Sequence, residues 1–312
     1  MGLKKAAALV AAATLSVTGL AACGRGGDAA DGGGGQTVYL ALSTLSNPFF
    51  VQLRDGAQAE ADTLGLTLEV QDAQDDAITQ TNQLSNALST GAAAVIVNPV
   101  DSNAAVPGVT ALLDADIPVV AVDRGVTDVE VTSFVSSDNV QGGTLAAEAL
   151  AQAIGESGDV VVLQGVAGSS ASRERGRGFE EGIAAFPKIK VVAKQTANFD
   201  RSEGLDVATN LLQANPGVVG IFAENDEMAL GAIEALGSRA GKKVSVVGFD
   251  GTEDGLSAIS NGTMAASIAQ QPDELGKLAV QQAKKALDGD ETTAVVPVKV
   301  VAVNKDNVAD FQ

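Results

Sequence analysis

The chain has no histidine and no tryptophan, and only one cysteine and one tyrosine among its 312 residues. Without histidine it lacks the commonest general base and the commonest metal ligand at once. Serine-histidine and cysteine-histidine triads are excluded. Nothing in the composition calls for a metal or a cofactor, and of the usual catalytic sets only a carboxylate pair is left open. Basic residues are also scarce: 20 Lys and Arg against 39 Asp and Glu give a net charge of −19. That disfavours nucleic acid as a partner, because its binders need a basic face to displace counterions. An acidic surface suits keeping a secreted protein soluble. Beyond the N-terminus no apolar run is long enough to span a bilayer. What is present is length and apolar content, 46% hydrophobic residues, enough for two lobes of ordinary domain size.

Residues 1–22 read as an export leader. Lys4-Lys5 followed by Ala6 to Leu20 has the charged start and short apolar core of a signal peptide, too short for a transmembrane helix. Its end, Leu20-Ala21-Ala22-Cys23, resembles the lipobox of bacterial lipoproteins, in which the cysteine is lipidated and becomes the new N-terminus. Residues 24–35 carry no apolar side chain larger than alanine and cannot offset their ordering entropy by burial. They read as a flexible tether. The expected product is a folded body held by Cys23 at the outer face of the cytoplasmic membrane, since multiple acyl chains give lasting anchorage.

From residue 37 strand-like and helix-like runs alternate. Thr37 to Leu42 precedes a helix whose apolar positions Phe50, Leu53, Ala57, Ala61 and Leu64 repeat at helical spacing, with Asn47 as its N-cap and Pro48 in its first turn. Strands follow at Leu66 to Val70, Ala94 to Val97, Val119 to Val122 and Val131 to Val135, with a helix over about Asp76 to Ser89. The alternation restarts at Gln141 and runs through Val160 to Leu163, Ile189 to Gln195, Val218 to Ala223 and Val244 to Val247, ending in a helix over Pro272 to Leu287. Two successive series of βα units predict two doubly wound, Rossmann-like lobes of parallel sheet in the α/β class.

In open parallel sheets the ligand crevice lies outside the carboxyl ends of the strands. Several strand runs here end in residues suited to a small ligand: Leu42 leads to Asn47, Phe49 and Phe50; Val122 to Asp123 and Arg124; Ala223 to Asn225; Phe249 to Asp250; and Ala269 to Gln270. Arg175, and Phe199 set between polar neighbours, complete the candidate set. Aromatic faces pack on the C–H faces of a sugar ring, while planar side chains with two hydrogen-bonding atoms suit vicinal hydroxyls. Asp123 and Asp250 balance Arg124 and Arg175, which fits a neutral ligand. Singly, each residue could equally be core packing, a helix cap or a loop hydrogen bond; their shared position carries the reading. The turn at Gly165 to Ser170 lacks the P-loop lysine and the full dinucleotide spacing, and reads as a strand-to-helix turn. Asp72, Asp75 and Asp76 lack EF-hand spacing and read as helix-capping residues.

These residues sit in stretches, among them Ser43 to Phe50, Ile117 to Arg124, Ser137 to Gly143, Arg173 to Gly176, Phe199 to Arg201, Ala223 to Gly231 and Val246 to Gly251, that resemble the sugar-binding proteins of ABC importers and, within them, the bacterial ribose binders. Ser46 departs from the asparagine common there. The resemblance spans nearly the whole body. It implies a periplasmic-binding-protein type I fold with a three-strand hinge near Ser137, Gln270 and Lys299. The first lobe would then comprise 36–137 plus 271–299, and the second 138–270 plus 300–312. It implies no enzyme and a monomer that closes on D-ribose as a pyranose and presents it to an ABC permease through acidic patches. Ligand contacts would come from Asn47, Phe49, Phe50, Asp123, Arg124, Arg175, Phe199, Asn225, Asp250 and Gln270. Allose, another pentose, a furanose or a related signalling molecule stands as the alternative ligand. A LacI-type effector domain is disfavoured by the export signal and the missing helix-turn-helix. An enzyme is disfavoured by arginines beside both candidate acids.

Overall fold

The computed structural model describes residues 36–312; the expected leader, Cys23 and the tether lie outside the described residues. The elements are, in order, β1 (Thr37–Leu42), α1 (Pro48–Thr63), β2 (Thr67–Asp72), α2 (Ala77–Thr90), β3 (Ala94–Val97), α3 (Val106–Asp114), β4 (Val119–Val122), β5 (Ser133–Ser137), α4 (Asn139–Ala153), β6 (Gly158–Gln164) and α5 (Ser170–Ile183). They continue with β7 (Ile189–Thr196), α6 (Arg201–Ala214), β8 (Val218–Ala223), α7 (Asp226–Leu236), β9 (Ser245–Asp250), α8 (Glu253–Ser260), β10 (Ala266–Ala269), α9 (Pro272–Asp288), β11 (Val295–Val298) and β12 (Val301–Asn304). No helix among the described residues is long and apolar enough to cross a membrane.

The strands form two six-stranded sheets, ordered β11-β5-β4-β3-β1-β2 and β12-β10-β9-β8-β6-β7. All pairings are parallel except β10 with β12. Both sheets carry the doubly wound order 2-1-3-4-5 in their first five strands, with the switch point between β1 and β3 in one and between β6 and β8 in the other. β3 and β4 are buried at every position, as helices on both faces of a parallel sheet require. The fold is thus two parallel-sheet α/β lobes.

The chain passes between the sheets three times: after β5, after β10 and after β11. As a result α9, which follows a strand of the second sheet, packs on the first. Its Leu275, Ala279, Val280 and Ala283 share a core with Val38, Leu40, Leu53, Ile96 and Val120. Reciprocally α4, which follows β5 of the first sheet, supplies Ala146, Ala147 and Leu150 to a core with Phe179, Phe222 and Phe249 of the second. Each fully buried Val, Leu, Ile or Phe side chain contributes roughly 1.5–3 kcal/mol.

Boundaries shift where tertiary pairing overrides the local apolar pattern. β5 starts at Ser133 rather than Val131 and runs on through Ser136 and Ser137, because these pair with Pro297 and Val298 of β11. Val244 lies outside β9 and bridges to Ala240. The apolar run from Met264 to Ala269 forms strand β10 only over Ala266–Ala269. Helices α3 and α8 are additions to the expected pattern; α3 holds Pro107 and Gly108, and α8 is a short segment capped by Thr252.

Glycines interlock three helix pairs. A Cβ at Gly276 of α9 would lie 2.0 Å from the carbonyl oxygen of Leu53 in α1, and one at Gly56 of α1 would lie 2.3 Å from that of Asp273. Gly143 and Gly178 bring α4 and α5 equally close, as Gly204 and Gly231 do for α6 and α7. We therefore expect Gly276→Ala to lower stability by about 1–3 kcal/mol through overpacking against backbone. Gly217→Ala, with nothing within 4 Å of the added carbon, should be near neutral. Urea unfolding of both variants checks this.

Candidate functional site

The carboxyl ends of the two sheets' strands converge on a cavity lined by Asn47, Phe49, Phe50, Asp123, Arg124, Ala171, Arg175, Phe199, Asn225, Asp250 and Gln270. All ten residues singled out from the sequence lie in this wall. The eleventh, Ala171 in the first turn of α5, offers no chemical signal in the sequence beyond following a strand end.

Several wall residues also hold the fold in place. Asn47 caps α1, its Oδ1 accepting from the Phe49 N–H at 2.9 Å. Asn225 caps α7 in the same way toward Met228 at 2.9 Å, and its Nδ2 donates to the Phe199 carbonyl at 3.1 Å. The local capping role and the place in the wall coexist, because the N-cap of a helix that follows a strand sits at the sheet's carboxyl edge. Phe49 and Phe50 pack edge to face, centroids 5.1 Å apart. The Arg124 guanidinium lies 5.1 Å from the Phe50 ring and 5.3 Å from the Phe199 ring, within cation–π range of both.

Three wall residues hold strained backbone. Asp123 (φ 63°), Phe199 (φ 63°) and Asp250 (φ 119°) all adopt positive φ, a region that costs non-glycine residues on the order of 1–3 kcal/mol. The Phe199 ring in turn depends on Gly165 at the end of β6, where an added Cβ would come within 2.1 Å of the ring.

The charged groups are buried and paired. Arg175 is 3% exposed; its Nε donates to Asn139 Oδ1 at 2.9 Å and its Nη1 to the Glu224 carbonyl at 2.7 Å. The same Nη1 lies 3.5 Å from Asp250 Oδ1, and the guanidinium stacks 3.8 Å over the Phe249 ring. Asp250 Oδ1 also accepts from Gln270 Nε2 at 2.7 Å. Asp123 Oδ2 accepts from Asn98 Nδ2 at 3.1 Å and lies 3.7 Å from Arg124 Nε.

Burial pushes both carboxyls upward. For Asp250 the rise is large, countered by Arg175 and reinforced by Asp226. For Asp123, Arg124 and Arg175 counter it. Burial lowers Arg124, and the Asp123 carboxylate raises it in return. Three buried polar atoms of the wall have no hydrogen-bond partner: Asp123 Oδ1, Arg124 Nε and Gln270 Oε1. Unpaired buried polar atoms are uncommon in folded proteins, so two acceptors and one donor are left for a polar guest.

Behind the wall stand Asn98, Asn139 and Glu224, which the sequence reading did not select. Asn98 and Glu224 each directly follow a strand, so the strand-end rule applied without regard to residue type would have found them. The Glu224 carboxyl accepts from the Gly165 N–H at 2.7 Å and from the Ser172 hydroxyl. Burial, opposed by those hydrogen bonds, pushes it up to about 7. Unfolded, the group releases its proton near 4.5. Between those pH values the folded form holds the extra proton, so stability falls as pH rises through the window, by at most about 3 kcal/mol. Glu224→Gln should remove that slope between pH 5 and 7, measured by urea unfolding at several pH values.

The periplasmic binding protein domain matches residues 38–291. Among curated relatives, the ribose import binding protein of Escherichia coli (strain K12) is 45% identical over 305 residues, covering 98% of this chain and all of that protein. Among solved structures, an ABC transporter periplasmic solute binding protein from Actinobacillus succinogenes 130z with bound D-allose superposes with a TM-score of 0.83 at 34% identity, over 88% of this chain and 99% of that one. A solute binding protein from Bacillus halodurans C-125 with bound myo-inositol gives 0.84 at 32% identity, over 89% and 98%.

Proposed function

Because the chain belongs to the periplasmic sugar-binding proteins of ABC importers, we propose that its cleft captures D-ribose, as the pyranose, and delivers it to the importer's permease. The family binds solutes and carries out no reaction on them. The observation that carries the ribose reading is the wall itself: a charge-balanced, aromatic-sided cleft in a chain 45% identical to a ribose import binding protein.

In this reading Phe49 and Phe50 take one face of the sugar and Phe199 the other. Asn47, Asp123 and Arg124 bind hydroxyls from the first lobe, and Arg175, Asn225, Asp250 and Gln270 from the second. Sugar hydroxyls both donate and accept, so they can satisfy Asp123 Oδ1, Arg124 Nε and Gln270 Oε1. The lobes divide as 36–137 plus 271–299 and 138–270 plus 300–312. Ligand contacts come from both sides of the cleft and are complete only when it is shut. That is the differential affinity by which a ligand shifts a hinge equilibrium toward closure. The permease reads the closed shape through acidic patches on the two lobes of a monomer.

A second reading keeps the role and changes the sugar. It is favoured by the two solved relatives, one holding D-allose and one myo-inositol. Calorimetric titration of protein beginning at Gln36, stripped of carried-over ligand, with ribose, allose, xylose, arabinose, galactose, glucose and myo-inositol separates the two. The ribose reading expects tight one-to-one binding of ribose, weakened about 30-fold or more by Asp250→Ala or Arg175→Ala, since each truncation strands a buried partner charge. A stronger response to another sugar changes the substrate and keeps the class.

Members of this family are exported, and we assign the retention of this one to lipid on Cys23. Exogenous labelled fatty acid should mark the full-length protein in the membrane fraction. Cys23→Ala should abolish both the label and the membrane association.

A further inference from the structure

The glycine-rich turn after β6, residues 165–170, takes part in direct contacts between the lobes that do not involve the cavity. The Ser102 N–H donates to the Gly168 carbonyl at 2.9 Å. The Gly125 N–H donates to Ser170 Oγ at 2.8 Å. Ser102 and Gly125 both belong to the first lobe, and the Thr127 N–H joins their segments by donating to the Ser102 carbonyl at 3.0 Å. Gly168, Ser169 and Ser170 belong to the second. Ser102, Ser169 and Ser170 are buried, Gly125, Thr127 and Gly168 are half-buried, and none of these residues lines the sugar cavity.

The contact has a steric condition. A Cβ on Gly168 would lie 1.9 Å from Asp101 Oδ2 and 2.6 Å from its Cγ. Asp101 cannot readily swing away, because its Oδ1 accepts from the N–H groups of Asn103 and Ala104, both at 2.8 Å. The Gly168 φ lies outside the left-handed region, so glycine is needed here for the approach of the lobes and not for the local backbone. The contact is also balanced. Two hydrogen bonds are made, while the hydroxyls of Ser102 and Ser169 on its two sides are buried without partners. An unpaired buried group costs at least as much as one net hydrogen bond contributes, so the two unpaired hydroxyls offset the two bonds.

We propose that this turn is a latch: Gly168 and Ser170 determine sugar affinity from outside the pocket by holding the closed arrangement of the lobes. Apparent affinity scales with the population of the binding-competent state, so a near-balanced latch leaves the decision to the ligand while setting the concentration at which it is made. The inference relies on the ribose reading only for its choice of titrant.

The test compares Gly168→Ala, Ser170→Ala and the pair Gly168→Ala with Asp101→Ala against the unmodified protein. Each is titrated with D-ribose by calorimetry and studied by small-angle X-ray scattering with and without sugar; urea unfolding without sugar monitors the fold. The latch predicts at least about tenfold weaker ribose binding for Gly168→Ala. It predicts roughly 3–10-fold weaker binding for Ser170→Ala, the scale of one lost hydrogen bond. The paired variant should recover to within about threefold of the unmodified protein, which a general loss of fold would not allow. The radius of gyration of Gly168→Ala should exceed that of the unmodified protein, with unfolding unchanged. Equal affinities with superimposable scattering overturn the latch. If the unmodified protein does not bind ribose but the scattering difference persists, the ribose reading falls and the latch stands.

Discussion

Burying the Arg175 guanidinium is the constraint on which the second half of the site depends. A guanidinium cannot shed its charge and presents five N–H donors in a fixed plane, so its surroundings must supply acceptors from several directions at once. Here they come from the start of α4 (Asn139), the residue after β8 (Glu224) and the end of β9 (Asp250), with the Phe249 ring beneath. Two helices and two strands must therefore be in register before the charge is tolerable. The glycine contact between α4 and α5 contributes directly, because a Cβ at Gly143 would collide with the Arg175 carbonyl at 2.2 Å. Removing an acceptor strands the cation, which is why such buried pairs are sensitive to truncation even where their net contribution to stability is small.

The first lobe solves a related problem with a different balance. Arg124 has few hydrogen-bond partners, donating to the Pro99 carbonyl at 3.3 Å, and is held mainly between the Phe50 and Phe199 rings. One of those rings comes from each lobe. Arg175 is fixed by its own lobe, whereas the surroundings of Arg124 are complete only when both lobes meet. The two arginines are thus held in different ways, one within a lobe and one between the lobes.

Much of this was legible in the sequence because two independent regularities coincide. Apolar runs of strand length mark the sheets, and the polar or aromatic residue after each run marks the carboxyl edge where doubly wound sheets bind ligands. That rule placed Asp123, Asn225, Asp250 and Gln270 in one wall although they are far apart in the chain. It was weaker where tertiary contacts set the outcome. The extent of β5 depends on its partner β11, some 160 residues later. α3 starts without a side-chain cap and carries Gly108 in its first turn, so its beginning offers little local signal. The supporting residues Asn98, Asn139 and Glu224 act through partners 25 to 49 residues away, a distance over which no local pattern carries information. Ala171 and Gly168 matter for what they leave out, and the absence of a side chain reads as nothing in a sequence until a neighbour is known.

The passage of α9 from the second sheet back to the first bears on how the chain can be made. Leu275, Ala279, Val280 and Ala283 are integral to the core that covers β1, β3 and β4, yet they follow every helix and nearly every strand of the other lobe in sequence. Synthesis runs from the N-terminus, so the opening strands wait for their cover until the last few dozen residues have emerged. The other lobe is also completed late, because Val303 of β12 and Val308 beyond it belong to its core. A chain so arranged stays unfinished for most of its own synthesis, a state well matched to being threaded across a membrane before it folds.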